Sequence, residues 1–158
     1  MPHLQVYAEI VRLGQGSGWL KGWSGQSQPN PRWLSYGLVI FDRTDFDIPQ
    51  RMPRTIELLR ELRGIKVCAL NKLHGNTLLS THVHPELPAE GLLQYHLCLE
   101  GPERYNFNYL NVAGEFVQQA PGAAYVFDGS LPHFAVNATD HERVILYMEF
   151  HVETLRRA

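Results

Sequence analysis

Cysteine is scarce in this chain, with only Cys68 and Cys98 in 158 residues. Both sit in apolar stretches, so a disulfide scaffold is excluded and two buried reduced thiols fit better than one bridge. Long hydrophobic runs are missing as well. No apolar segment approaches the ~18 residues of a membrane helix, and the first thirty or so residues lack the apolar centre of a secretory signal. Neither sign of charge dominates, since 14 Lys+Arg stand against 16 Asp+Glu for a net charge of -2. That balance removes any general pull toward nucleic acid or an anionic membrane surface. The basic cluster Arg51, Arg54, Arg60, Arg63 and Lys66 reads as the solvated side of a helical region. Repeats, low-complexity tracts and composition breaks are absent, and 44% hydrophobic content suffices for one core. The expectation is a cytoplasmic single domain over residues 1–158, with no nucleic-acid or membrane partner.

What is present reads as strands. Residues 14–31 mix Gly, Ser, Gln and Pro with Trp19 and Trp23, which predicts a loop-rich N-terminal extension over 1–31. The two tryptophans predict that this loop packs onto something, as a lid or a substrate wall. Residues 33–41 predict a first strand. Pro53-Arg54-Thr55 then opens the only convincing helix, over 54–63, with Ile56, Leu59 and Leu62 at helical spacing and Gly64 as its stop. Core strands follow over 66–151, in the runs 67–71, 77–81, 92–100, 106–112, 123–127 and 144–150. Turn signals such as Gly75-Asn76, Ala113-Gly114 and Asp128-Gly129 separate them. One helix followed by six or more short strands predicts a double-sheet jelly roll or small barrel. Period two in the run 92–100 puts Gln94, His96 and Cys98 on one side, and Leu93, Tyr95, Leu97 and Leu99 on the other. A polar lining with an apolar back is the pattern of a strand flanking a pocket.

Histidine carries the chemistry. His3, His74, His141 and His151 read as surface or satisfied residues. His82 and His84 differ, because an i, i+2 pair in extended chain faces one way and both imidazoles could reach one ion. His133 ends another segment, Asp128-Gly129-Ser130-Leu131-Pro132-His133, whose Asp128 and Ser130 shape the turn that presents it. Arg143 stands at the head of an apolar run. Imidazoles from separate strands beside one arginine are what a non-haem iron site with a carboxylate cosubstrate requires. The competing reading makes Arg143 a surface ion-pair partner of Glu142 or Asp140.

These segments resemble the aspartyl/asparaginyl β-hydroxylase family over roughly residues 33–151. The likeness runs from Trp33 through Pro53-Arg54-Thr55 with Leu58-Leu59, and His74-Gly75-Asn76-Thr77 to His82. It continues through Tyr95-His96-Leu97 and Val126-Phe127-Asp128-Gly129-Ser130-Leu131-Pro132-His133 to Arg143. The resemblance implies a mainly β double-stranded β-helix, jelly-roll and cupin-like, with one helix before the core strands. It implies an Fe(II)- and 2-oxoglutarate-dependent dioxygenase that uses O₂ to hydroxylate an aliphatic C–H bond. The target implied is the β-carbon of an Asp or Asn side chain in a peptide or small molecule; some relatives act on lipid or free amino acid. His82 and His133 match the iron-binding histidines, and His84 stands where many relatives in the wider oxygenase group carry aspartate. Arg143 matches the arginine that grips the distal carboxylate of 2-oxoglutarate. His96, Trp33 and Asn71 match further cosubstrate-contacting positions, with Asn71 in place of a serine. Gln94 replaces an arginine, so it offers an amide but no charge. Read from the residues alone, Trp33 is a core aromatic, Gln94 and Asn71 are strand polar residues and His96 is a structural pocket histidine. Two alternatives stand beside the oxygenase: a cupin-like metal enzyme that uses no keto acid, and a non-catalytic binding module.

Overall fold

The computed structural model describes residues 20–22, 30–40, 43–44, 50, 52–103 and 106–153. In chain order these form β1 (Leu20–Gly22), β2 (Asn30–Ile40), β3 (Arg43–Thr44), α1 (Pro53–Glu61), β4 (Ile65–Leu73) and β5 (Thr77–His82). Then come α2 (Glu86–Glu90), β6 (Leu92–Glu100), β7 (Asn108–Val112), β8 (Glu115–Gln118), β9 (Ala124–Phe127), β10 (His133–Asn137) and β11 (Arg143–His151). Trp19 and Trp23, the expected lid or wall, lie outside the described residues.

The strands make two antiparallel sheets. The larger has the order β1-β2-β4-β11-β6-β9 with β3 beside β2, and the smaller runs β5-β10-β7-β8. Neighbours distant in sequence, such as β4 with β11 and β5 with β10, give the double-stranded β-helix. The fold is the mainly β, cupin-like jelly roll expected.

Strict alternation divides the larger sheet into two chemistries. Ser35 and Gly37 of β2, Ala69 and Asn71 of β4, and Ile145 and Tyr147 of β11 face a cavity. The residues between them, Tyr36, Leu38, Cys68, Leu70, Val144, Leu146 and Met148, form the main apolar cluster with Met52, Ile56 and Leu59 from the α1 region. The principal core therefore lies on the outer face of the larger sheet, under α1, and each fully buried aliphatic there contributes about 1.5–3 kcal/mol. A smaller cluster of Leu73, Leu110 and Ala135 packs with Trp33 and Phe127 inside the roll. This arrangement leaves the inner face free to carry polar groups.

Several boundaries differ from the sequence expectations. The 1–31 extension contains β1 and the start of β2, so it is not all loop. α1 begins at Pro53 and stops at Glu61, two residues early, because Leu62 turns extended at φ -85, ψ 133. The one helix expected before the core strands is α1; a second, short helix, α2, follows the histidine pair and ends at Gly91, φ 65. β8 and β10 were not expected as strands. β7 and β8 are joined at Ala113 and Gly114, both at positive φ (50 and 94), the tight hairpin geometry that matches strand twist.

Candidate metal centre

His82 closes β5 and His133 opens β10, and the two residues are direct cross-strand partners. Their rings lie 4.3 Å apart between centroids, and His84 adds its ring at 5.2 Å from His82 and 5.4 Å from His133. One ring nitrogen from each falls within 4.8 Å of the other two. Two nitrogens on one first-row ion sit at most about 4.2 Å apart, twice a ~2.1 Å bond, so side-chain adjustments of under ~1 Å would close the set. His133 is buried, whereas His82 and His84 are partly open.

Hydrogen bonds fix which nitrogen is left over. Nδ1 of His82 lies 2.7 Å from the Ser80 carbonyl, and Nδ1 of His133 lies 2.8 Å from the Leu131 carbonyl. A carbonyl only accepts, so both Nδ1 atoms carry the proton and Nε2 keeps its lone pair. Nδ1 of His84 lies 3.3 Å from the Glu86 carboxylate, on the helix that follows it. Donation from the far ring nitrogen to an acceptor is the arrangement that orients metal-ligating histidines. Burial lowers the pKa of both His82 and His133, to about 4 for His133, with the neighbouring imidazoles adding to the effect. The pair is therefore neutral at pH 7, the state that binds metal.

The turn before β10 ties the two histidine segments together. Ser130 N–H donates to the Asp128 carboxylate (2.9 Å) and Leu131 N–H to the Asp128 carbonyl (3.1 Å). The Gly129 carbonyl accepts from His84 N–H at 2.9 Å. A Cβ on Gly129 would come within 2.5 Å of the Gln94 amide and 2.8 Å of Leu87, so any larger residue there requires those side chains to shift.

Beside the histidines opens a cavity of about 450 Å³. Trp33, Asn71, His82, His84, Gln94, His96, His133 and Arg143 all line it, so the eight residues singled out from the sequence come together in space. Arg143 is 2% exposed, and among the described residues no carboxylate stands within ion-pair distance of it. Its Nη1 donates to the Gln119 side-chain oxygen, and its Nε is buried without a partner. Burial lowers its pKa to about 10, which leaves the cation intact at neutral pH. The surface-pair reading of Arg143 fails, because Glu142 pairs with Lys72 (3.1 Å) and His74 (3.0 Å), and Asp140 accepts from Asn76. His96 is buried with its Nδ1 unpartnered. Burial first, then Arg143 and the three other histidines, hold its pKa well below the usual value. Its ring meets Phe127 edge-on at 4.9 Å, and Phe127 meets His133 at 5.4 Å. Asn71 accepts from Ser35 Oγ at 2.7 Å. Gln94 is fully buried, and its Nε2 donates to the Tyr147 hydroxyl at 2.7 Å.

Three cavity or support residues were missed from sequence. Tyr147 and Glu149 share Arg143's face of β11, and the period-two reading used on β6 would have found them. Gln119, which holds Arg143, directly follows β8, its N–H donating to the Asn108 carbonyl at 2.8 Å, and carries no signal of its own.

Comparison with known proteins bears on the family and the fold. A relative from Acanthamoeba polyphaga mimivirus, an uncharacterized protein, is 24% identical over 143 residues, 88% of this chain and 49% of its own length. The ornithine lipid ester-linked acyl 2-hydroxylase of Rhizobium tropici is 26% identical over 119 residues, 75% of this chain and 41% of its own. The chain thus spans about half or less of these curated relatives. Among solved structures, the Cupin_2 domain of an XRE family transcriptional regulator from Enterobacter cloacae superposes with a TM-score of 0.51 at 14% identity. It covers 76% of this chain and 97% of that one, a likeness of fold. A family profile described as aspartyl/asparaginyl β-hydroxylase matches residues 4–152, beginning well before the segment where the likeness was expected to start. With only the two ends left outside that match, the chain belongs to the aspartyl/asparaginyl β-hydroxylase family.

Proposed function

We propose that this protein is an Fe(II)- and 2-oxoglutarate-dependent dioxygenase that hydroxylates an aliphatic C–H bond. One observation carries the reading: a buried arginine without a carboxylate partner opens onto the same cavity as three convergent, carbonyl- or carboxylate-oriented imidazoles. A buried cation left unpaired is costly unless a ligand completes it, and a short dicarboxylate would do so.

His82, His133 and His84 would hold the iron, and imidazole ligands suit that ion. When bound, iron(II) with 2-oxoglutarate and O₂ supplies the oxidising power: the keto acid loses carbon dioxide to become succinate, one oxygen atom going to it and one to the substrate. Arg143 would fix the distal carboxylate through its guanidinium fork, a charge-assisted contact worth roughly 1.5–3 kcal/mol. Gln119 presets that fork by accepting from Nη1. His96, neutral and with Nδ1 unsatisfied, offers a hydrogen-bonding partner to the keto-acid head. Trp33 and Asn71 would wall the cosubstrate. Gln94 gives the head no charge, its amide nitrogen already donating to Tyr147.

The family and the Rhizobium tropici relative support an Asp- or Asn-like group or an acyl chain as target. Val83 (47% exposed) and Leu131 (42%) flank the histidines and would meet apolar parts of such a substrate. Two buried free thiols, with Cys98 pushed up to about 11 by burial, suit a reducing cytoplasm, and the described residues form one unit of fold.

Anaerobic addition of Fe(II) and 2-oxoglutarate tests the reading. A visible charge-transfer band is expected from the bidentate keto acid, followed by succinate release in air across Asp- and Asn-containing peptides, free amino acids and lipids. Metal binding without the band would favour the second reading, a cupin-like enzyme that uses no keto acid, which the neutral Gln94 and the three-histidine set also suit.

A further inference from the structure

β11 presents Arg143, Tyr147 and Glu149 to one cavity, with Arg143 at the start of the strand and Glu149 near its end. Six residues of extended chain separate the two charges by about 20 Å, too far for them to pair. Among the described residues no lysine or arginine lies within ion-pair distance of Glu149. Its carboxylate is held in place: the Tyr147 hydroxyl donates to Oε1 at 2.5 Å and accepts from Gln94 Nε2 at 2.7 Å. Burial and the Glu149 charge both keep the Tyr147 phenol protonated, so the donation to Glu149 persists at neutral pH. Oε2 has no hydrogen-bond partner among the described residues.

Register places His96 between these ends. His96 lies opposite Tyr147, and Gln94 opposite Glu149, one strand step further from Arg143. The His96 ring reaches His133 through Phe127. Glu86, beside His84, acts electrostatically on Tyr147, so a second carboxylate strengthens the negative field at the Glu149 end. The cavity thus carries a positive group toward one end of β11 and a negative one toward the other, and the candidate metal histidines line the same space.

We propose that Glu149 forms a cation subsite, and that the substrate carries a protonated amine or guanidinium which Glu149 binds while the target C–H bond faces the metal centre. The part concerning the substrate rests on the oxygenase reading above; the subsite itself does not. A half-buried carboxylate with one free oxygen gains from such a partner, and the same charge disfavours an anionic group at that end.

The test uses hexylamine, 1-hexanol and hexanoate as matched probes, titrated by calorimetry into protein loaded with redox-inert Zn(II) and 2-oxoglutarate. Hexylammonium should bind about tenfold or more tighter than hexanol, the scale of a charge-assisted hydrogen bond, with hexanoate weakest. Glu149→Gln should abolish that preference while zinc and 2-oxoglutarate affinities stay within about twofold, and Glu149→Asp should restore part of it. Equal binding of amine and alcohol, or a preference that survives Glu149→Gln, overturns the proposal. If the protein takes up no 2-oxoglutarate but keeps a Glu149-dependent amine preference, the oxygenase reading fails and the subsite stands.

Discussion

Arg143 keeps its charge in a place almost closed to water, held on one side by Gln119. Arg143→Ala should weaken 2-oxoglutarate binding by about tenfold to a hundredfold, from the roughly 1.5–3 kcal/mol of its contact, and leave metal affinity within about twofold. Titration calorimetry of both ligands checks this, and equal loss of both would refute the assigned role. His133 sets a pH dependence of the metal-free protein. Its folded pKa, about 4, lies below the 6.5 of the unfolded chain, so the unfolded state binds the extra proton first as pH falls. Stability is therefore full above pH 6.5 and declines toward pH 4, by up to roughly 3 kcal/mol from this residue. Denaturant melts across that window should show the decline, and His133→Gln should flatten it. The sequence exposed these residues because few side chains do this chemistry, and because an i, i+2 histidine pair has one geometric meaning in extended chain. Gln119 stayed hidden because an amide at a strand end looks the same in sequence whether it braces an arginine or faces water.

The turn between β9 and β10 is where element and site meet, since its Gly129 carbonyl anchors His84 while its far end delivers His133. Gly129→Ala should cost about 1–3 kcal/mol and weaken metal binding with it, because the added carbon collides with Gln94 and Leu87, both pinned in the interior. Thermal melts with and without Zn(II) check both effects, and an unshifted melt would show that the turn relaxes freely. Strands with long β-prone runs, β4, β6 and β11, were legible from composition. The five-residue β10 and four-residue β8 were not, because pairing across the small sheet stabilises them more than any local preference. α2 escaped for a related reason: five residues containing a proline carry too little periodicity to read.

For the molecule as a whole, stability and chemistry occupy opposite faces of the larger sheet. Ile56→Ala, in the cluster beneath α1, should therefore destabilise by about 2–5 kcal/mol yet leave metal affinity unchanged where the protein is still folded. Loss of metal binding in that folded variant would mean the two faces are coupled. The jelly roll was foreseeable from the count of strands, whereas placing the main core outside the roll required knowing which face α1 covers. Among the described residues, strand β5 is the last of its sheet and pairs with β10 alone. An ion shared by His82 and His133 would rivet that outermost strand at one tip, so a chelator would do more than empty the site. Stripped of its fastening, the free margin could peel and pair with a second molecule, and storage with EDTA should bring aggregates before it brings unfolding.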